Sequence, residues 1–308
     1  MKVICSSEES LHRPEVFRWQ ERMKLMNPIG DVVVLLPCSM RKPYSNSKSH
    51  QVFRKHTKHY QELIVTSPFG ICPREMESTF PIQSYDVPVT GVWSHEEKKI
   101  AGELLKNYIK DKNVVANLSK GYEEVAKEYL NDVIYTCKDG KVTSSDSIYN
   151  LREELRKFPR LNKRDRLMHK LKSIAIYQFG ESGEKFIPDD ISLKGKYHKK
   201  LISNKKQIGL LNNNTGLYSL TLEGGEILKN LGLKIIEINF NLTTNSLLNP
   251  GVDKADHSII PKDEVVIIKD DEVVGVGRSI ISGKEMEESN RGMAVKIRKR
   301  VKKRNNLI

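Results

Sequence analysis

Short apolar runs alternate with amphipathic stretches through the first 145 residues of the chain. Four of these runs have the length of β-strands: 31–36, 62–66, 113–117 and 132–136. Segment 94–110 has its apolar side chains on one helical face and capping-box spacing at Ser94 and Glu97, and a second helix is predicted over 121–130. Strands that are apolar on both faces and alternate with helices are typical of parallel sheets. We therefore predict an α/β domain with a mostly parallel sheet over 1–145.

The pattern of apolar positions changes after residue 145. A basic helical stretch leads into two apolar runs that flank "NNNTG", a hairpin turn sequence, and "LEGGEILKNLG" predicts a short helix closed by Gly232. From residue 232 onward, short strands are joined by turns such as Asp270-Asp271, as in a small β-barrel. We predict a small basic α+β domain over 146–231 and a β-barrel domain over 232–308.

Composition narrows the class of protein. Apolar residues make up 38% and charged residues 30% of the chain, and the longest apolar run is too short to span a bilayer. The N-terminal residues lack the pattern of a secretion signal, so we expect a cytoplasmic protein. The four cysteines, the first of them Cys5, are isolated and lack metal-ligand spacing, so we expect no metal site.

The charge of the chain points to a polyanionic partner. The net charge is +13, and the segment "KIRKRVKKR" (296–304) is almost entirely basic. Basic side chains release condensed counterions when they neutralise phosphates, which favours nucleic-acid binding. The candidate RNA contacts lie in the middle and last domains: Arg160, Lys163, Arg164, Arg166, Arg278, Arg291, Lys296 and Arg298.

A polar loop, "PCSMRKPYSNSKSH", directly follows the first predicted strand. Ligands of parallel sheets bind at the carboxyl ends of the strands, which places Cys38 at that edge. The loops that follow are long and polar, as functional loops tend to be. We expect them to bring further side chains to the same edge: Ser67, Arg74, Glu75, Asp86 and Trp93.

The polar loop carries the residue types of a nucleophilic site. Cys38 is the candidate nucleophile, and Lys42 and His50 would lower the pKa of its thiol. Tyr44 and His50 are candidates for proton transfer, and Ser47 for substrate orientation or helix capping. The residue types alone leave a second interpretation open, in which the loop only binds phosphate.

The same loop resembles the signature of the archaeosine synthase family: Pro-Cys, three residues, Lys-Pro-Tyr, two residues, Ser, two residues, His. Every fixed position is present, at Pro37, Cys38, Lys42, Pro43, Tyr44, Ser47 and His50. Residues 62–97 are similar to the same family. The "GVGRS…SG…RGMAV" pattern near the C-terminus resembles a PUA domain, and residues such as "LTLEGGEIL" resemble the domain that precedes PUA in archaeal tRNA-guanine transglycosylases.

The resemblance implies a fold and a function. Residues 232–308 would form an RNA-binding PUA pseudo-barrel. The protein would be a transferase that adds an amine to the nitrile of 7-cyano-7-deazaguanine in the D-loop of tRNA. The co-substrate would be free lysine or, in an older interpretation of the family, glutamine or ammonium, and the chain itself would need no cofactor. A radical-SAM partner enzyme would then cleave the lysine adduct.

Many family members carry an additional N-terminal transglycosylase-like domain, which this chain is too short to hold. The resemblance thus implies a short form, with that domain supplied by a separate subunit or not required. The alternative function is a non-catalytic tRNA-binding subunit that presents tRNA to another enzyme.

Two routes to the new C–N bond are open. Cys38 would attack the nitrile to form a thioimide, with His50 or Tyr44 protonating its nitrogen, or the amine would add directly with Asp86 or Glu75 as base. Arg74 and Glu75 are candidates for holding the amino-acid donor, and Trp93 for stacking on the base. The alternative roles of these three are a structural ion pair between Arg74 and Glu75 and a core position for Trp93.

Overall fold

The computed structural model describes residues 3–4, 8–86 and 92–301. The chain divides into two compact units, 1–177 and 178–308. Cys5 and the last residues of the basic segment 296–304 lie outside the described residues. Across the described ranges, none of the helices combines the length and apolar character that crossing a membrane requires. The predicted domain boundaries at 145 and 231 stay predictions.

The first unit contains a five-stranded sheet in the order β3-β2-β1-β4-β5. Its strands are β1 Val32–Pro37, β2 Gln61–Thr66, β3 Gly70–Pro73, β4 Asn113–Ala116 and β5 Val133–Tyr135. All neighbours are parallel except β2 and β3. Every residue of β1 and β2 is buried, as expected for strands covered on both faces. The predicted mostly parallel sheet is confirmed.

Helices join these strands in the predicted alternation. Their bounds are α1 Pro14–Met23, α2 Lys48–Thr57, α3 His95–Ile109, α4 Gly121–Tyr129, α5 Ser145–Leu155 and α6 Lys163–Phe179. The predicted capping box opens α3, because the Ser94 hydroxyl accepts from the Glu97 amide and the Glu97 carboxylate accepts from the Ser94 amide. Phe53 of α2 and Leu151 of α5 pack with Val34 in one apolar cluster on the sheet.

Strand β3 changes where two predicted site residues lie. It runs antiparallel to β2, with Gly70 opposite Thr66 and Pro73 opposite Leu63, so the chain returns to the amino end of β2. The prediction that Arg74 and Glu75 emerge at the same edge as Cys38 is therefore wrong. Cys38 follows the residue opposite Val65, and Arg74 follows the residue opposite Leu63, so about four residues of β2 separate their backbones. At about 3.3 Å per residue, this distance is roughly 13 Å.

The order of the strands reverses beside β1. The chain passes from β1 to β2 on one side and later returns to β4 on the other side of β1. In open α/β sheets, ligands bind in the crevice at such a switch point, outside the carboxyl ends of the two strands. The topology thus predicts a ligand-binding site in the crevice between the carboxyl ends of β1 and β4.

The second unit begins with a four-stranded antiparallel sheet in the order β9-β8-β7-β6. Its strands are β6 Ser192–Lys194, β7 Lys199–Ser203, β8 Lys206–Leu211 and β9 Tyr218–Leu220. The predicted hairpin is formed by β8 and β9. Helix α7, Leu222–Asn230, follows, and Gly232 has a φ of 69° as the predicted residue that closes it.

A six-stranded sheet completes the second unit, in the order β11-β15-β14-β13-β10-β12. The strands are β10 Ile235–Glu237, β11 Ser246–Leu248, β12 Lys254–Ala255, β13 Glu264–Lys269, β14 Glu272–Ser279 and β15 Met293–Arg300, and α8 spans Gly283–Glu288. Asp270 and Asp271 have φ values of 51° and 61°, as a tight turn between β13 and β14 requires. Gly277 flanks a register shift between β14 and β15, where a Cβ would lie 2.5 Å from the Lys296 carbonyl oxygen.

Candidate active site at the carboxyl end of the parallel sheet

The Cys38 thiol lies at the strand switch point of the first unit. Cys38 directly follows β1 and is 9% exposed. Its Sγ is 2.9 Å from the phenol oxygen of Tyr122, which stands in the first turn of α4, beyond the end of β4. Tyr122 was not among the site residues predicted from the sequence. The sequence contained a feature that could have placed Tyr122 near Cys38. The helix after the third predicted strand begins at the same edge of the sheet as the loop after the first predicted strand.

Burial raises the pKa of the Cys38 thiol, and the hydrogen bond from Tyr122, the charge of Lys42 and the hydroxyl of Thr66 oppose that rise only in part. The expectation that Lys42 and His50 would lower this pKa below its ordinary value is wrong, because desolvation outweighs the nearby cation. The thiol therefore carries its proton at neutral pH, and any attack by sulfur requires a group that accepts this proton.

A cluster of hydroxyls and one ammonium group surrounds the thiol. Lys42 Nζ lies 4.0 Å from the ring centroid of Tyr85 and 5.7 Å from that of Tyr44. The two phenol oxygens are 2.6 Å apart, and both contact the Thr66 hydroxyl. Burial raises the pKa of both phenols well above the ordinary value. Tyr44 therefore keeps its proton and serves as a hydrogen-bond donor.

His50 is fully buried, and both of its ring nitrogens have partners. Nε2 lies 3.0 Å from the Pro37 carbonyl oxygen, and Nδ1 lies 2.6 Å from a guanidinium nitrogen of Arg74. Because the guanidinium can only donate, Nδ1 accepts and Nε2 carries the proton. Burial, and then the charge of Arg74, lower the pKa of His50 well below its usual value. The geometry gives His50 a role in positioning the backbone before Cys38, in place of the predicted proton transfer.

Ser47 and Ser67 fix the loops around the thiol. Ser47 is the N-cap of α2 and accepts from the His50 amide at 3.3 Å, so helix capping is the role that the geometry favours. Ser67 donates to the carboxylate of Glu97, the same group that accepts from the Ser94 amide at 2.7 Å. The loop after β2 is thereby tied to the start of α3.

Trp93 and Asp86 lie on the segment that precedes α3. The Trp93 ring is half-buried and meets the ring of Tyr122 edge-on, with centroids 5.2 Å apart. Trp93 thus contacts the hydrogen-bond partner of Cys38, which favours the predicted stacking role over a core position. The backbone of Asp86 pairs with that of Ile4 in a short parallel ladder, and Asp86 is partly exposed.

Arg74 and Glu75 belong to a cluster of buried charged side chains at the amino end of β2, which His50 connects to the loop of Cys38. Arg74 contacts the carboxylates of Glu62 and Glu77, the latter at 2.9 Å, and Glu75 lies 2.7 Å from His169. Burial alone would raise the pKa of Glu75, but the interactions with His169 outweigh it and the pKa is lowered. Both residues are in ion pairs, but with other partners and not with each other.

Most of the predicted RNA contacts are exposed: Arg160, Lys163, Arg164, Arg278, Arg291 and Lys296. Arg298 is exposed as well and Arg166 is half-buried, and both also make contacts within the protein. Arg166 donates to the Lys58 carbonyl oxygen at 2.6 Å, and the Arg298 guanidinium pairs with Glu264, whose side chain is 2% exposed. Within the described ranges, no three His, Cys, Asp or Glu side chains are placed to share a metal ion.

Three family models match the chain in succession. Residues 16–155 match a domain of unknown function (DUF5591), residues 169–232 the patch-forming domain C2 of tRNA-guanine transglycosylase, and residues 237–301 the PUA domain. The fold and the matches together define an α/β protein with a thiol at its strand switch point and a C-terminal PUA domain.

The chain belongs to the archaeosine synthase family. It is 38% identical to archaeosine synthase of Methanocaldococcus jannaschii over 96% of this chain and 54% of that protein. It is 36% identical to archaeosine synthase subunit alpha of Methanosarcina acetivorans over 96% of this chain and 51% of that protein. The chain therefore spans about half the length of these relatives. The crystal structure of AF0587, a protein of unknown function, matches 92% of this chain and all of that chain with a TM-score of 0.74 and 28% identity.

Proposed function

We propose that this chain is a transferase of archaeosine biosynthesis that adds the side-chain amine of free lysine to the nitrile of 7-cyano-7-deazaguanine in the D-loop of tRNA. Membership of the archaeosine synthase family supports this activity. The single observation that carries the proposal is the pair formed by Cys38 and Tyr122, 2.9 Å apart at the strand switch point.

The pair is suited to addition across a nitrile. The sulfur of Cys38 forms a bond to the nitrile carbon while Tyr122 takes the thiol proton and gives its own proton to the nitrile nitrogen, so that a thioimide forms. The incoming amine then bonds to the same carbon, the C–S bond breaks, and the amine proton returns to sulfur. The product is an N-substituted amidine, and the thiol is regenerated.

Direct addition of the amine is the competing route. Its base would be Asp86, because Glu75 lies at the opposite end of β2 and its carboxylate is paired with His169. In this route Cys38 only lines the pocket. Lys42, beside the Tyr85 ring, would stabilise negative charge on the nitrile nitrogen in either route.

The test is the mass of the nucleoside recovered from tRNA that carries the nitrile base. The protein is incubated with that tRNA and with lysine, glutamine or ammonium in turn. We expect the mass of the lysine adduct with wild-type protein, a loss of at least about a hundredfold in Cys38→Ala, and wild-type yield in the matched control Cys137→Ala. Full activity of Cys38→Ala would favour direct addition.

The second candidate function is a non-catalytic tRNA-binding subunit. The name "subunit alpha" of the relative from Methanosarcina acetivorans favours it. Its partners would be a separate transglycosylase-like subunit and a radical-SAM enzyme. If tRNA binds but no amine is added with any donor, this second function is the correct one.

A further inference from the structure

A charged cavity of about 220 Å³ opens at the amino end of β2, the end of the strand opposite to Thr66 and Cys38. Three carboxylates line it: Glu62 and Glu77 contact the single guanidinium of Arg74, and Glu75 contacts His169. Four further cations line the same cavity: Arg54, which comes within 3.8 Å of Glu77, and Lys58, Arg166 and Lys170. With Arg74, five Arg and Lys side chains face three carboxylates, so positive charge is in excess.

Two elements that carry these cations are fixed to each other by two hydrogen bonds to backbone carbonyls, one from a backbone amide and one from a side chain. The Leu161 amide donates to the His59 carbonyl oxygen at 2.8 Å, and the Arg166 guanidinium donates to the Lys58 carbonyl oxygen at 2.6 Å. The turn after α2 and the start of α6 are therefore held together. The backbone segments that carry the cations are thus held together before any ligand binds, so little backbone ordering is needed on binding.

The cationic surface extends beyond the cavity. Arg160 and Lys163, on the same stretch, are exposed. Burial lowers the pKa of His59, and the charges of Arg166, Lys58 and Arg160 lower it further, as expected at a site of positive potential. More cations face this region than one small anion would require.

A second surface, between helices α2 and α5, carries an exposed aromatic ring. Tyr149 of α5 is 56% exposed, and the guanidinium of Arg152 lies 5.3 Å from its ring centroid. Both line a second cavity together with His56 of α2. Exposed aromatic rings next to guanidinium groups are the features on which unpaired bases stack.

We propose that the amino-end basic surface, formed by Arg54, Lys58, Arg160, Lys163, Arg166 and Lys170, binds consecutive phosphates of an RNA strand. This is an RNA contact of the first unit, separate from the PUA domain. It rests on the proposed function only in taking tRNA as the RNA. RNA is favoured over a small anion because the cations are spread over the cavity and its surroundings.

The test compares two triple variants of the full chain. Lys58→Gln/Lys163→Gln/Lys170→Gln removes three charges from the surface, and Lys99→Gln/Lys106→Gln/Lys112→Gln removes three charges from helix α3 and the turn after it. The affinity for an unmodified tRNA transcript is measured against salt concentration. We expect the first variant to bind at least about tenfold more weakly, with a log–log salt slope shallower by about 2 to 3, and the second to resemble wild type.

Equal slopes for the two triple variants would overturn the proposal. The proposal also fails if inorganic phosphate binds wild type but not the first variant while the tRNA slopes stay equal, since the cavity would then hold a small anion. Because the transcript carries no nitrile, the assay does not depend on catalysis. A chain that modifies tRNA but shows equal slopes keeps the proposed function and loses only this surface.

Discussion

At the scale of single residues, burial sets the protonation state of the thiol site. The Cys38 thiol and the Tyr122 phenol both have raised pKa values, because desolvation disfavours their charged forms. Neither is ionised at rest, so a reaction at the sulfur, as we propose, would require the pair to exchange protons. The sequence pattern identified Cys38 but not this consequence, because burial of a loop residue is decided by neighbours distant in sequence, such as Tyr122.

Tyr122→Phe tests the proton transfer. The variant keeps the ring that packs on Trp93 but removes the hydroxyl beside Cys38. We expect single-turnover formation of the adduct to slow by about 10²- to 10⁴-fold, the usual contribution of a general acid–base group. Tyr129→Phe, at the end of the same helix, is the control. A rate for Tyr122→Phe within about threefold of wild type would rule the phenol out as the proton carrier.

His50 makes the stability of the first unit depend on pH. Its pKa is lowered well below the usual value in the folded state, so the unfolded state binds more protons below about pH 6.5. The contribution of the neutral His50 to the free energy of unfolding is complete above that pH and is lost as the pH falls. We expect wild type to lose up to about 1.4 kcal/mol per pH unit below pH 6.5 relative to His50→Gln.

Urea unfolding followed by tryptophan fluorescence measures this slope, because both tryptophans of the chain, Trp19 and Trp93, lie in the first unit. Parallel pH profiles of wild type and His50→Gln between pH 7 and 5 would contradict the buried neutral imidazole.

At the scale of elements, the sequence pattern missed helices α1 and α2 but predicted most strands and the helices α3 and α4, because each of these buries a regular apolar face. Strand β1 and the hairpin of β8 and β9 are examples. Strand β3 was missed. Its four residues are too few for a periodic signal, and they follow a Pro68 turn and begin at Gly70, whose φ is 79°. Because β3 runs antiparallel to β2, Arg74 and Glu75 follow it at the amino end of β2, and not at the carboxyl end where Cys38 lies.

The capping box of α3 offers a test at this scale. Ser94→Ala removes the side-chain acceptor of the Glu97 amide and loosens the carboxylate that also binds Ser67. We expect the free energy of unfolding to fall by about 1 to 2 kcal/mol in the fluorescence-detected urea transition. Ser94→Thr keeps the hydroxyl oxygen that accepts from the Glu97 amide, so its loss of unfolding free energy should be less than half that of Ser94→Ala. Equal losses in the two variants would show that the hydroxyl is not the cause.

At the scale of the whole molecule, the two candidate functional features lie in different units. The first unit holds the thiol site, and the second ends in the PUA domain. The basic composition predicted a polyanion partner but could not distinguish free cations from paired ones. Arg298 illustrates this, because it is predicted to contact RNA and also pairs with the buried Glu264.

Charge removal in the PUA domain separates these two kinds of cation. Arg278→Gln/Lys296→Gln removes two exposed cations, so we expect a shallower salt slope of tRNA binding, by about 1 per residue, without loss of stability. Arg298→Gln leaves the buried carboxylate of Glu264 unpaired and should lower the midpoint of thermal unfolding. Unchanged tRNA affinity in the double variant would argue against RNA contacts at these two positions.

The covalent intermediate is the most direct test of the central claim. The protein is mixed with nitrile-bearing tRNA in the absence of any amine, digested with nuclease and protease, and analysed by mass spectrometry. We predict a peptide containing Cys38 that carries the mass of the modified nucleotide, present in wild type and Cys137→Ala and absent from Cys38→Ala. An unmodified Cys38 peptide from a protein that still forms the lysine adduct would contradict the account.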